Sequence, residues 1–296
     1  MNGSPTFTTV RANGLDFEVL TAGEGDKLAL CLHGFPEHAL SWRAQIPTLV
    51  DLGYRVWAPN QRGYGNTLPR SNAVADYDMQ YLIDDVAALI DASGAHHVTL
   101  IAHDWGGAVA WMYALRPPRP IDRLVIMNVP HPAIFGARLR DSRRQKLRSW
   151  YMGFFQLPGL PEALLGAGHA RAIGLVFTRT ATNKARFGED VVAVYRDQAS
   201  RPGALTAMLN WYRAAPRGIR AQLSRGIPVI DVPTMMIWGE ADSALGKETT
   251  YGTDAYVSNL RINYLPGISH WVQQDAPDEV NALLRTFLSE PLAQKA

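Results

Sequence analysis

The run Thr99-Leu100-Ile101-Ala102-His103-Asp104-Trp105-Gly106-Gly107 constrains this chain more than any other segment. It reads as a short buried strand that passes into small residues just before a helix. A strand that turns so abruptly holds the residue at its apex in a tight bend, which leaves room only for small side chains two positions before and after it. Ala102 and Gly106 meet that requirement around Asp104. Two readings follow from these residues. Asp104 is a nucleophile presented at a sharp elbow, or it is a carboxylate capping the next helix, a position that Asp favours.

The chemistry of a carboxylate nucleophile narrows the reaction. A serine that attacked a saturated carbon would leave an ether that water does not readily cleave. An aspartate leaves an alkyl ester, which water can hydrolyse at its carbonyl. Asp104 as nucleophile therefore points to substitution at saturated carbon, with epoxides and alkyl halides as the natural electrophiles.

Around this segment the sequence alternates short apolar runs with helical patterns. Phe7–Ala12 and Leu15–Thr21 flank Asn13-Gly14, a dipeptide suited to the two positive φ angles of a tight hairpin. An apolar run at Lys27–Leu32, a helix over Ser41–Leu52, a strand at Tyr54–Ala58 and a helix over Asp78–Ala92 come next. A strand at Val98–Ala102, a helix after Gly106 and a strand at Leu124–Asn128 continue the rhythm. It stops between residues 130 and 227, where aromatic helical segments are divided by Pro and Gly. Strands at Thr234–Trp238 and Leu260–Leu265 and a helix over Pro277–Leu288 then resume it. The pattern predicts an α/β fold with a mostly parallel central sheet, a core formed by residues 1–129 and 228–296, and a helical cap inserted at 130–227. A frayed tail is expected at Pro291–Ala296.

With 47% hydrophobic and 19% charged residues, the 296-residue chain can bury a large core. The single cysteine, Cys31, excludes an internal disulfide and suits a packed thiol in a reducing, cytoplasmic setting. A net charge of +2, and no apolar run of the roughly 18 residues a spanning helix requires, argue against nucleic acid and membrane as partners. Met1–Thr9 lacks the pattern of a secretion signal. The basic stretch Arg138–Arg148 reads as the wet face of one helix. A homodimer is compatible with the sequence, and no spacing of Cys or His suggests a metal or another cofactor.

A covalent ester needs a base near neutral pKa, a partner to orient that base, and donors for the oxyanion. Of the eight histidines, His270 has the best position, in a loop just after the last strand. Asp242 follows the preceding strand and completes the order nucleophile, acid, histidine; Glu240 is its rival. Cys31-Leu32-His33-Gly34-Phe35-Pro36-Glu37 follows an early strand. There the Phe35 amide can serve as an oxyanion donor with the Trp105 amide as the second, Pro36 fixes the turn, and His33 is a structural hydrogen-bonder. Arg62-Gly63-Tyr64-Gly65 is a structural turn, lacking the setting of a phosphate loop.

Jointly, His33-Gly34-Phe35-Pro36-Glu37, Arg62-Gly63-Tyr64-Gly65, His103-Asp104-Trp105-Gly106-Gly107 and Ser269-His270-Trp271 resemble the α/β-hydrolase-fold epoxide hydrolase family, in the right order over nearly the whole chain. The resemblance implies that two cap tyrosines, Tyr151 and Tyr212, hold the epoxide oxygen, that the substrate is a small apolar epoxide, and that water completes the reaction. Candidate pocket residues are Phe35, Pro36, Trp105, Phe155, Trp211 and Trp271, with Phe154, Leu157 and Leu160 as further lining. Tyr81, Tyr113, Tyr195 and Tyr264 lack the cap context and read as packing residues.

The nearest rival is a haloalkane or haloacid dehalogenase, which uses the same carboxylate. Against it, Phe35 stands where haloalkane dehalogenases commonly place a halide-binding Asn, and Trp105 where the haloacid enzymes carry Arg. A binding protein that had lost catalysis is a second rival, but binding alone needs no such set of reactive groups.

Overall fold

The computed structural model describes residues 4–69 and 71–292. Asn13 and Gly14 take φ angles of 44° and 73°. These close a two-residue turn between β1 (Thr6–Ala12) and β2 (Leu15–Ala22), in the register Ala12 to Leu15 and Thr6 to Thr21. Six further strands follow: β3 (Lys27–Leu32), β4 (Arg55–Pro59), β5 (His97–His103), β6 (Arg123–Met127), β7 (Thr234–Gly239) and β8 (Leu260–Leu265). They form one sheet in the order β1-β2-β4-β3-β5-β6-β7-β8, antiparallel at the β1-β2-β4 edge and parallel from β4 to β8.

From β3 the chain goes outward to β4, then returns to place β5 on the other side of β3. A reversal of this kind opens a crevice at the carboxyl ends of the two strands it separates. The loop after β3 carries Phe35 and the turn from β5 into the following helix carries Asp104, so topology brings together residues 69 apart in sequence.

Helices cover both faces: α1 (Ile46–Asp51), α2 (Met79–Ser93) and α3 (Asp104–Leu115) precede β6, while α10 (Val272–Asp275) and α11 (Pro277–Ser289) close the chain. The sheet interior is buried on both sides, and alternate residues serve opposite cores. Leu28, Leu30, Leu100 and Leu124 pack on one side, Ala29, Cys31, Ile101 and Val125 on the other. Each Leu, Ile or Val among them, removed from water, contributes about 1.5–3 kcal/mol. Burial pushes the Cys31 thiol well up, which leaves it a packed, protonated group.

Between β6 and β7 lie α4 (Pro132–Asp141), α5 (Arg143–Arg148), α6 (Trp150–Phe154), α7 (Leu160–Thr180), α8 (Glu189–Ala199) and α9 (Ala204–Ser224). α7 is interrupted at Ala167–Ala170, where the backbone leaves helical angles. Some local expectations fail here and elsewhere. The basic stretch is not one helix: Ser142 takes an extended backbone and caps α5 by accepting from the Gln145 amide. The helix expected over Ser41–Leu52 begins only at Ile46, after a 3-10 turn at Ala39–Trp42. Tyr81 is not packed but 49% exposed, with Arg62 over its ring. Among the described residues no helix is long and apolar enough to cross a membrane. Of the tail expected to fray, residues 293–296 lie outside the described residues.

Candidate active site

Asp104 directly follows β5 and begins α3 with φ at +47°, a left-handed conformation that few non-glycine residues adopt. The helix thus starts at the apex itself, three residues before the position its sequence suggests. The elbow closes against the loop after β3, where the Gly106 amide donates to the His33 carbonyl at 3.0 Å. A Cβ on Gly106 would stand 2.3 Å from the Leu32 carbonyl oxygen, and one on Gly34 would stand 2.4 Å from Cβ of Asp104. Only glycine permits this approach, and the approach lets the Phe35 amide donate to Oδ1 of Asp104 at 2.8 Å.

His270 sits beyond the end of β8, with Nε2 3.5 Å from Oδ2 of Asp104 and Nδ1 2.6 Å from Oδ2 of Asp242. Asp242 also accepts from the Ala244 and Leu245 amides at 2.7 and 2.8 Å and from Nδ2 of Asn128 at 2.8 Å. Its rival Glu240 pairs with Lys247 and does not reach the histidine. Asn128 went unread in the sequence. It is fully buried at the end of β6 with φ at 43°, and its carboxamide ties Asp242 to the Gly239 amide.

Burial opposes charge on His270, but the adjacent Asp242 and Asp104 carboxylates outweigh it and hold the imidazole protonated well above its usual range. Burial likewise opposes charge on Asp104. The hydrogen bond and charge of His270, the charge of His103 and the Phe35 amide keep that carboxyl below its ordinary value. A carboxylate that is 15% exposed therefore stays ionised.

Tyr212, on α9, lies in an aromatic box. Its ring is 4.8 Å from Trp105, 4.9 Å from Phe155, 5.3 Å from Phe35 and 6.0 Å from Tyr151. Burial and then the Asp104 charge push both tyrosines upward, so both remain O–H donors. Trp211 points elsewhere, donating to the Arg62 carbonyl at 3.0 Å. Trp271 stands beside His270, ring centroids 4.9 Å apart, and donates to Thr180 Oγ1. Pro36 follows Phe35 through a cis peptide bond. Phe154 is half-buried, whereas Leu157 and Leu160 are 46% and 49% exposed, which removes them as buried pocket lining. Tyr113 and Tyr195 are buried packing residues, and Tyr264 is half-buried against Thr250.

Beneath the site lies a polar network that sequence reasoning missed. Glu37, fully buried, accepts from the Gly34 amide at 2.8 Å, from His103 Nδ1 at 2.7 Å, and from Nε2 of Gln273 and of Gln274 at 2.8 Å each. His103 Nε2 in turn donates to the His270 carbonyl at 2.8 Å. The network joins the loop of Phe35, the elbow of Asp104 and the loop of His270. Its signal was present as a histidine at the end of the apolar strand β5 and a carboxylate in the loop after β3. His33 does not belong to it; burial pushes His33 down to about 4, and it accepts from the Gln61 amide at Nε2. Glu37→Gln would set an amide NH2 against two buried donors and take the only carboxylate from this buried network, which costs about 3–5 kcal/mol. The expected result is a melting temperature lower by roughly 10 °C in thermal unfolding; an unchanged midpoint would show the network to be dispensable. Among the described residues no group of three or more His, Cys, Asp or Glu could hold a metal ion.

A mostly parallel eight-stranded sheet, with an aspartate elbow after β5 and a histidine after β8, defines an α/β hydrolase, and the pattern of that fold matches residues 29–277. The chain is 38% identical to the AB hydrolase superfamily protein YfhM of Bacillus subtilis, covering 94% of this chain and 96% of that one. It is 37% identical to Epoxide hydrolase 4 of Homo sapiens, covering 99% and 81%. The crystal structure of Epoxide Hydrolase A from Mycobacterium thermoresistibile superposes with a TM-score of 0.85 at 31% identity, covering 98% of this chain and 100% of that one. The protein belongs to the α/β-hydrolase-fold epoxide hydrolases.

Proposed function

We propose that the protein hydrolyses small apolar epoxides to vicinal diols in two steps, with residues 130–227 as a cap over the site. Asp104 Oδ2 attacks one epoxide carbon, and the C–O bond breaks as the new ester bond forms. Tyr151 and Tyr212 donate to the ring oxygen as it gains negative charge, and one of them protonates the alkoxide. His270, oriented by Asp242, then takes a proton from water, whose oxygen attacks the carbonyl carbon of the ester. The tetrahedral oxyanion is held by the Phe35 and Trp105 amides, and its collapse releases the diol and restores Asp104. Phe35, Pro36, Trp105, Phe155 and Trp271 would border the substrate; Trp211 would support Trp105, its ring neighbour at 5.9 Å.

The observation that carries this reading is the placement of one carboxylate, Asp104, between an amide donor at 2.8 Å and a histidine whose other nitrogen is held by a second carboxylate. The electrostatics support it as well. Esterification of Asp104 removes one of the negative charges that keep His270 protonated, so the first step itself prepares the base for the second.

A single turnover in oxygen-18 water tests the route. With enzyme in excess over styrene oxide, the diol should carry no label, because its new oxygen comes from Asp104, and the label should enter the Asp104 carboxylate. A singly labelled diol would mean direct attack by water and would overturn the ester. Halide release from a haloalkane or haloacid without any diol from epoxides would move the assignment to a dehalogenase.

A further inference from the structure

Charge is distributed unevenly along this chain. Residues 130–227 hold sixteen Lys and Arg against five Asp and Glu, a formal +11, whereas the remainder holds thirteen against twenty-two, a formal −9. The whole-chain value of +2 conceals this separation.

Six of the sixteen cations lie between Arg138 and Arg148, where Asp141 is the only acid. Arg140, Arg143, Arg144 and Lys146 are exposed. Among the described residues none of the six forms an ion pair, although Arg and Lys elsewhere on the surface do. In the same stretch, on α5 and at the start of α6, Leu147 is 75% and Trp150 66% exposed. These are the two most exposed large hydrophobic side chains among the described residues. Further along the chain Leu157, Leu160 and Leu164 are about half exposed.

We propose that this face docks on an anionic lipid surface, with the arginines and Lys146 at the headgroups and Leu147 and Trp150 at the acyl boundary. The two features call for one partner. A phosphate-bearing surface answers the unpaired cations, and an apolar layer just beneath it answers a leucine and a tryptophan left in water. Tryptophan in particular favours the boundary between headgroups and acyl chains. Nucleic acid offers phosphates but nothing for the leucines. A second copy meeting this face symmetrically would set like charge against like charge. The opposite charge on the rest of the molecule turns the +11 side toward a negative surface from a distance. The expectation that no membrane partner is involved rested on net charge and on the lack of a spanning helix, and neither bears on peripheral docking.

The placement has a functional consequence that rests on the reading above: Trp150 directly precedes Tyr151, a proposed holder of the epoxide oxygen. Docking would set the catalytic cleft beside the phase in which apolar epoxides concentrate.

The test is cosedimentation of the full chain with vesicles of phosphatidylcholine alone and of phosphatidylcholine with phosphatidylglycerol at roughly three to one. The native protein should pellet with the anionic vesicles at least about tenfold better than with the neutral ones, and less as salt rises. Arg143→Gln/Arg144→Gln/Lys146→Gln and, separately, Leu147→Ser/Trp150→Ser should each lose most of that binding. Both variants should keep native turnover of a water-soluble epoxide, which shows that they are folded. Failure of the native chain to pellet with anionic vesicles, or equal pelleting with neutral ones, would overturn the proposal. So would unchanged binding by both variants. A concentration-dependent dimer abolished by Leu147→Ser/Trp150→Ser would assign the face to a second copy instead. Lack of epoxide turnover in the native protein would count against the catalytic reading alone, because vesicle binding is read without substrate.

Discussion

His270→Ala should stop after one chemical event, with the substrate fixed to Asp104. The first step does not use the imidazole as a base, and the Phe35 amide that contacts Asp104 is independent of it. The second step loses its only placed base, so steady-state turnover should fall by at least roughly 10²–10⁴. Intact-mass measurement should then show the protein heavier by one substrate, and Asp104→Asn in the same background should abolish the adduct. Removing His270 also removes a charge that helps keep Asp104 ionised. The experiment therefore belongs at about pH 9, far above an ordinary aspartate. Epoxide consumption with no adduct would end the role assigned to His270.

The same coupling gives the sign of the pH response in the native enzyme. Asp104 is lowered, so its carboxylate survives as pH falls, and alkylation survives with it. On the proposed route hydrolysis requires neutral His270, and it should fail as pH falls through the histidine's value in the esterified enzyme. Acid should accordingly trap ester in native protein, while alkali should not.

How much of this was legible depended on whether a feature was local. The Asn13-Gly14 turn, the apolar strands and the small residues around Asp104 announce themselves because backbone geometry restricts the residue types over a few positions. The order Asp104, Asp242, His270 could be read because each follows a strand, and strand ends in a parallel sheet converge. What stayed hidden depends on contacts between distant segments. Glu37 and His103 are 66 residues apart, and Asn128 and Asp242 are 114 apart; no period or spacing links them. The break at Ser142 was hidden for a different reason. A basic, amphipathic pattern looks the same whether or not one residue leaves the helix to cap the next. Net charge conceals how charge is distributed because it is a sum, and the sum of +11 and −9 says little about either.

The largest effect on the first step is expected from Tyr151→Phe/Tyr212→Phe. On the proposed route each hydroxyl donates to an oxygen that carries negative charge only as the ring opens, and losing one such donor typically costs 10²–10³ in rate. With both absent nothing protonates the alkoxide, and ring opening should fall by roughly 10³ or more. The singles should each fall less, since the remaining hydroxyl can still donate and the two effects need not add. Phenylalanine keeps the ring contacts of Tyr212 with Trp105, Phe155 and Phe35, so the melting temperature should hold. Retained epoxide turnover in the double variant would sink the assignment, and a loss confined to Tyr212→Phe would make Tyr151 a packing residue. An activated alkyl halide separates a missing acid from a damaged nucleophile. Halide leaves as a stable anion and needs no proton, whereas an alkoxide does. Asp104 in the double variant should therefore be alkylated by the halide at close to the native rate while the epoxide goes untouched, and equal loss with both reagents would place the defect at Asp104 instead of at the tyrosines.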